Sequence, residues 1–200
     1  MCCRYWFVTT PELWPAIEEM NRSSLAEAFR RRGRIVTEGE VRPSDVSPVV
    51  AMNRRGERKV FPMKWGFRAK TLLINARAET AGEKPLFREA WQAHRCAVPA
   101  AWYYEWEHLT DSNGKTRTGD RYRIGPAGGE TAWLCGLYRL EEGLPCYVVL
   151  TREPGENLRF IHNRMPLILP ESAVGDWIRP DAHPEELLRL ARTELAAERA

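Results

Sequence analysis

Four short stretches of this 200-residue chain hold side chains able to do chemistry. The chain opens MCCRYW, and loss of Met1 would leave Cys2 with a free α-amine and a thiol on adjacent carbons. Unperturbed, those groups titrate near ~8 and ~8.5, so both are usable nucleophiles at cellular pH. In LLINARAET, strict alternation puts Asn75, Arg77 and Glu79 on one face and Ile74, Ala76 and Ala78 on the other. By itself that pattern describes a solvated face carrying an Arg77–Glu79 pair. AWYYEWEH sets Glu105 beside Tyr103, with Trp102, Tyr104 and Trp106 on the opposite side. A carboxyl drawn out of water favours its protonated form, which suits a proton donor near neutral pH. A sheet-surface glutamate shielded by rings fits the same letters. In IHNRMPLIL, His162 stands two residues before Arg164. Histidine is the side chain best placed to exchange protons near neutral pH, although a lone one entering an apolar run is commonly structural.

The remaining reactive residues suggest less. Cys96, Cys135 and Cys146 lie in apolar strand-like runs, where reduced cysteine acts as a small hydrophobe. Cys2 and Cys3 are too close in sequence for a good chelating pair, so no metal and no cofactor is expected. His94, His108 and His183 sit in polar or helix-edge surroundings and receive no role. Lys and Arg total 30 against 27 for Asp and Glu, a net charge of +3. So small an excess argues against a protein that coats duplex DNA, while leaving room for a local basic cleft.

The elements that must position these groups are partly readable. A composition of 44% hydrophobic and 28% charged residues fits one globular domain spanning residues 1–200. No apolar run is long enough to cross a bilayer, and Arg4, Pro11, Glu12 and Pro15 break any signal-peptide pattern. A cytoplasmic protein is therefore expected. TTPELWPAIEEM suggests a helix with a threonine cap and Pro11 in its first turn, with Pro15 as a possible interruption. In SSLAEAFRRRG, Ser24 and Glu27 form a capping-box pattern. PLFREAWQAH suggests a third helix, and the spacing predicts a peripheral C-terminal helix over 183–200. Between these lie short aromatic or β-branched runs punctuated by Gly, Pro, Asn and Asp, with SNGKTRTGD as a hairpin loop. The strands do not alternate regularly with helices. The expected class is α+β, a mainly antiparallel, partly barrel-like sheet flanked by short helices.

MCCRY, MKWGF, NARAET, RCAVPAAWYYEW and IHNRMPLIL, in that order, closely resemble the SRAP family, the abasic-site processing proteins first named SOS-response-associated peptidases. The resemblance runs from Cys2 to about Trp177. It implies a protein of the DNA damage response that acts as a monomer on single-stranded DNA containing an abasic site, nucleoid-associated where damage occurs. It also implies that the Cys2 amine forms an imine with the open-chain sugar aldehyde and that the thiol closes a five-membered thiazolidine. The 1,2 placement makes closure intramolecular, hence the large effective concentration. Asn75 would orient the amine and the sugar. Glu105 would move protons during ring opening, and His162 would assist at the sugar, with a link to reversal or strand cleavage. Arg4, Arg77 and Arg164 match phosphate-binding arginines, and Trp65 is either a ring for stacking an exposed base or a core tryptophan.

The chain departs from the family pattern in three places. Cys3 and Trp102 stand where glycine is usual, and MKWGF runs into RAK without the expected proline and tryptophan. Two rival activities follow from the same residues. One is an N-terminal-nucleophile peptidase or amidase using the Cys2 thiol, with autopeptidase and lyase activities as related possibilities. The other is a non-catalytic binder of single-stranded or modified DNA.

Overall fold

The computed structural model describes residues 2–110 and 113–200. The expectation about loss of Met1 lies outside the described residues, as does Ser112, the first position of the expected hairpin loop. Strand β1 (Arg4–Phe7) leads to helices α1 (Trp14–Asn21) and α2 (Ser24–Arg30), then to β2 (Gly39–Val41), β3 (Val46–Met52) and β4 (Arg58–Trp65). β5 (Asn75–Arg77) runs directly into α3 (Ala78–Ala81), followed by α4 (Pro85–Ala93). Long strands β6 (Arg95–Ala100), β7 (Trp102–Thr110), β8 (Thr116–Gly125), β9 (Ala132–Glu141) and β10 (Leu144–Arg152) form the middle. After a 3₁₀ turn at Glu156–Leu158 come β11 (Met165–Pro166), β12 (Ile168–Leu169), α5 (Glu171–Trp177), α6 (Pro184–Leu187) and β13 (Ala196–Arg199).

The architecture is α+β. One sheet has the order β13-β8-β7-β1-β2. In the other, β10, β4, β3, β6 and β9 pair in sequence, and β9 returns to β10, which partly closes a barrel. A barrel removes exposed edges and turns alternate side chains inward. Helices cover the outer face, so the barrel strands bury residues on both sides, among them Val49, Val50, Met63, Trp65, Val98, Leu134, Leu137 and Val149. At the junction of the sheets, the Tyr5 hydroxyl hydrogen-bonds Ser47 Oγ and the Tyr147 hydroxyl, each at 2.7 Å. That satisfied buried trio anchors β1, and with it the two cysteines that precede it.

Buried Arg95 ties the helices to the barrel. Its guanidinium donates to the carbonyls of Trp91 and Gln92 at the end of α4, at 2.6 and 2.8 Å, and to Trp177 O at the end of α5, at 2.8 Å. Helix ends leave such carbonyls unsatisfied, so one cation caps two helices. Gly66 explains the turn in MKWGF: its φ is +117°, and a Cβ there would meet Leu72 Cδ1 at 2.7 Å.

Several local expectations need correction. α1 begins at Trp14, preceded by a turn in which Thr10 O accepts from Leu13 and Trp14 N–H, and Pro15 occupies its first turn, where no donor is lost. The cap of α2 is Ser23, whose Oγ accepts from Ala26 N–H at 3.1 Å, one residue earlier than the capping-box reading. The tail is not a helix over 183–200. It makes one helical turn and a 3₁₀ turn at Leu188–Leu190, then adds β13 to the edge of β8. Edge pairing, with ion pairs Arg123–Glu198 and Arg199–Asp120, overrides the helical propensity of ELAAERA. Among the described residues, no helix is long and apolar enough to cross a membrane.

Candidate active site

The segments around Cys2, Asn75, Glu105 and His162 come from distant parts of the chain and converge beside the junction of the sheets. β5 pairs in parallel with β10, with Asn75 opposite Val149. This places the Asn75 amide against the N-terminal segment, where Nδ2 donates to Cys2 O at 2.8 Å. Asn75 Oδ1 is buried and has no hydrogen-bond partner among the described residues. A buried acceptor in that state is costly unless a ligand donor meets it.

Glu105 is 3% exposed, as the ring-rich strand suggested. Oε1 accepts from Trp106 N–H at 3.3 Å. Antiparallel pairing of β1 with β7 sets Arg4 opposite Tyr104 and Tyr5 opposite Tyr103, which carries the two cysteines toward Glu105. Burial holds the Cys2 thiol well above its usual range, and the Glu105 carboxylate pushes it further. The same two causes raise the half-buried Cys3 thiol. Both groups therefore stay as thiols near neutral pH.

His162 reaches this cluster because its segment is tied to β7, the His108 N–H donating to Ile161 O at 3.1 Å. The His108 and His162 rings meet edge to face, their centroids 4.2 Å apart. Burial, with His108 adding to it, pushes His162 down to about 4, so its ring is neutral at physiological pH. The backbone N–H of Arg164 donates to His162 Nδ1 at 2.9 Å. A ring nitrogen that accepts carries no proton, so the neutral ring holds its proton on Nε2.

One atom from each of Glu105, His108 and His162 lies within 4.8 Å of the other two, a grouping that a metal ion could use. A ligating histidine normally donates through its second nitrogen, whereas His162 Nδ1 accepts. The grouping thus fits proton handling better than metal binding. His108 is the member that sequence reasoning missed. Only the fold brings a side chain from the exposed part of β7 against the His162 loop.

The basic residues divide. Arg77 is exposed and lines an open cavity of about 530 Å³ with Glu153, Pro154, Arg159, Asn163 and Arg164. It has no ionic partner among the described residues. Arg164 is held instead, with Nη1 and Nη2 donating to Glu79 at 2.8 and 2.7 Å and Nη2 to Thr151 O at 2.6 Å. Glu79 lies in α3 rather than on an extended strand, so the suggested Arg77–Glu79 pair is replaced by Arg164–Glu79. Arg4 pairs with Glu40 at 2.8 Å and lies over the Trp106 ring, 5.5 Å from its centroid. Trp65 is a core residue: fully buried, its Nε1 donates to Ile74 O at 2.9 Å, and its ring packs on Tyr5 and Tyr147. The expectation of a base-stacking ring at Trp65 fails because no face reaches solvent. A second cavity, of about 360 Å³, includes Arg32, Arg34, Lys64 and Arg68 and none of the residues above.

A family model described as SOS response associated peptidase (SRAP) matches residues 1–199. Abasic site processing protein YoqW of Bacillus subtilis (strain 168) is 32% identical over 161 residues, covering 72% of this chain and 70% of that protein. Abasic site processing protein YedK of Escherichia coli (strain K12) is 26% identical over 152 residues, covering 72% of this chain and 66% of that protein. A crystal structure of a protein from Bacteroides thetaiotaomicron superposes with a TM-score of 0.72 at 20% identity, covering 99% of this chain and 91% of its own. A phage-related protein from Bordetella bronchiseptica superposes with a TM-score of 0.72 at 21% identity, covering 100% and 94%.

Proposed function

The chain belongs to the SOS response associated peptidase (SRAP) family, and on that footing we propose that it processes abasic sites in single-stranded DNA by covalent capture through Cys2. The observation that carries this reading is the meeting of the Cys2 segment with Asn75 and Glu105. Loss of Met1 frees the Cys2 nitrogen. That amine adds to the C1′ aldehyde of the ring-opened sugar, and water leaves as the imine forms. The thiol then adds across the C=N bond, sulfur to carbon and its hydrogen to nitrogen, closing the thiazolidine. Amine, thiol and aldehyde become the ring and one water.

Each residue has a task set by its surroundings. Asn75 fixes the Cys2 carbonyl through Nδ2, and its buried Oδ1 accepts from the sugar or the amine. Glu105 takes protons from the adding groups and returns one to the departing hydroxyl. His162, neutral with its proton on Nε2, donates a hydrogen bond to the sugar oxygen, stabilising charge as it develops. Arg77, Arg4 and Arg164 bind phosphates flanking the lesion, with Arg77 the open one and the others each sharing a carboxylate.

The peptidase reading is less well supported. Burial and Glu105 raise the Cys2 thiol, which disfavours the thiolate that a cysteine hydrolase draws on. The imine route asks the amine to attack first and uses the thiol only intramolecularly. The test is to incubate purified protein with abasic single-stranded DNA and with Cys2→Ala as control. A denaturation-resistant conjugate with the wild type alone supports the reading; amide turnover without conjugation favours the hydrolase.

A further inference from the structure

The outward face of the first sheet carries a pattern that the proposed reaction uses only at Arg4. Alternation along β1 and β7 sends Tyr5, Phe7 and Tyr103 into the core. The opposite side carries Arg4, Trp6, Trp102, Tyr104 and Trp106. Register sets Trp6 beside Trp102 and Arg4 beside Tyr104, then Tyr104 beside Arg123 and Trp106 beside Arg121. The Trp6 and Trp102 rings stack with centroids 5.4 Å apart and planes at 19°. Arg123 lies over Trp102 at 5.6 Å and Arg121 over Tyr104 at 4.9 Å. Trp6, Trp102 and Trp106 are only half-buried.

We propose that this face is a stacking platform for unpaired bases of the strand flanking the lesion. The proposal rests on the reading that the substrate is single-stranded DNA and names the surface that holds it. Two features select that occupant. The face joins the proposed phosphate track at Arg4, whose guanidinium lies over the Trp106 ring. Its charge is complementary to a phosphate chain: Arg121 has no ionic partner among the described residues, and Arg123 shares one carboxylate, Glu198. A guanidinium over a ring is held weakly and can leave for bidentate bonds to a phosphate, opening the ring to a base. Every base has a π-face, so such a platform tolerates any sequence but needs the bases unpaired. Trp102 matters most. Its ring stacks on Trp6 and lies beneath Arg123, so it links the two halves of the face.

The test uses the full chain carrying Cys2→Ala, so that no covalent capture intervenes, and an unmodified oligothymidylate as probe. Fluorescence anisotropy is read for Trp102→Ala, Arg121→Ala and Arg123→Ala, with thermal unfolding confirming that each still folds. The platform predicts that Trp102→Ala weakens binding about tenfold, within the range for loss of one base–ring stack. It predicts that the arginine variants bind more weakly with a shallower salt dependence, and that duplex of the same length binds less tightly. Variants that fold and bind as tightly as the parent would overturn it, as would equal affinity for duplex. Conjugation of the wild type with abasic DNA alongside unaffected variants would leave covalent capture standing and remove the platform. Weakened variants without any conjugate would do the reverse.

Discussion

The Asn75 side chain donates through Nδ2 to the Cys2 carbonyl oxygen at 2.8 Å, joining positions 73 residues apart. The contact holds the residue meant to react and leaves the second atom of the amide, Oδ1, buried and unpartnered. Asn75→Asp replaces the donor with an acceptor facing a carbonyl. Single-turnover conjugation to abasic DNA should slow about 10²-fold or more, as misplacement of reacting groups does. Affinity for unmodified DNA should change little. Equal losses in both would mean that Asn75 serves binding rather than positioning.

Glu105→Gln removes the carboxylate that helps hold the neighbouring thiols up. The Cys2 and Cys3 thiols should therefore titrate lower in the variant, read by the pH dependence of alkylation. Conjugation should nonetheless slow by about 10²–10⁴-fold, the usual contribution of a positioned acid–base group. Faster conjugation would show that thiolate formation, and not proton transfer through Glu105, limits the reaction.

His162 gives a pH signature. Its folded-state value near 4 lies below the ordinary 6.5, so the unfolded chain binds a proton more readily over that interval. The resulting stability is fully present above about pH 6.5 and is lost as pH falls toward 4. His162→Gln should flatten that part of the acid-stability curve. Nitrogen NMR of the ring should show the proton on Nε2, because Nδ1 accepts from Arg164. A proton on Nδ1 would contradict the donor role assigned to this side chain.

Trp65→Ala should cost about 3–5 kcal/mol of stability, the range for emptying a buried aromatic site. Trp65→Phe keeps most of the packing and loses the bond to Ile74 O. If Trp65 is a core residue, the phenylalanine variant binds single-stranded DNA like the wild type.

The clearest sequence signals were those whose local chemistry and tertiary setting agree. The ring-rich strand around Glu105 implied a shielded carboxylate, and the carboxylate is buried. The mixed punctuation of short strands implied an α+β sheet with barrel character, and β9 and β10 close one. What could not be read depends on partners far away in sequence. Glu79 pairs with Arg164 because the chain turns into α3 immediately after Arg77. His108 joins the site only because β7 hydrogen-bonds to the loop before His162. The C-terminal segment had helical composition, yet the free edge of β8 offered it a ladder of hydrogen bonds. Trp65 had two readings from sequence alone, and barrel closure decides between them.

Central to the account is the proposed bond between Cys2 and the abasic sugar, and intact mass under denaturing conditions tests it most directly. After incubation with an abasic single-stranded oligonucleotide, the predicted species is the chain without Met1 joined to the oligonucleotide, lighter than their sum by one water. It should be missing for Cys2→Ala. A chain that retains Met1 and still conjugates, or a conjugate that persists in Cys2→Ala, would contradict the account.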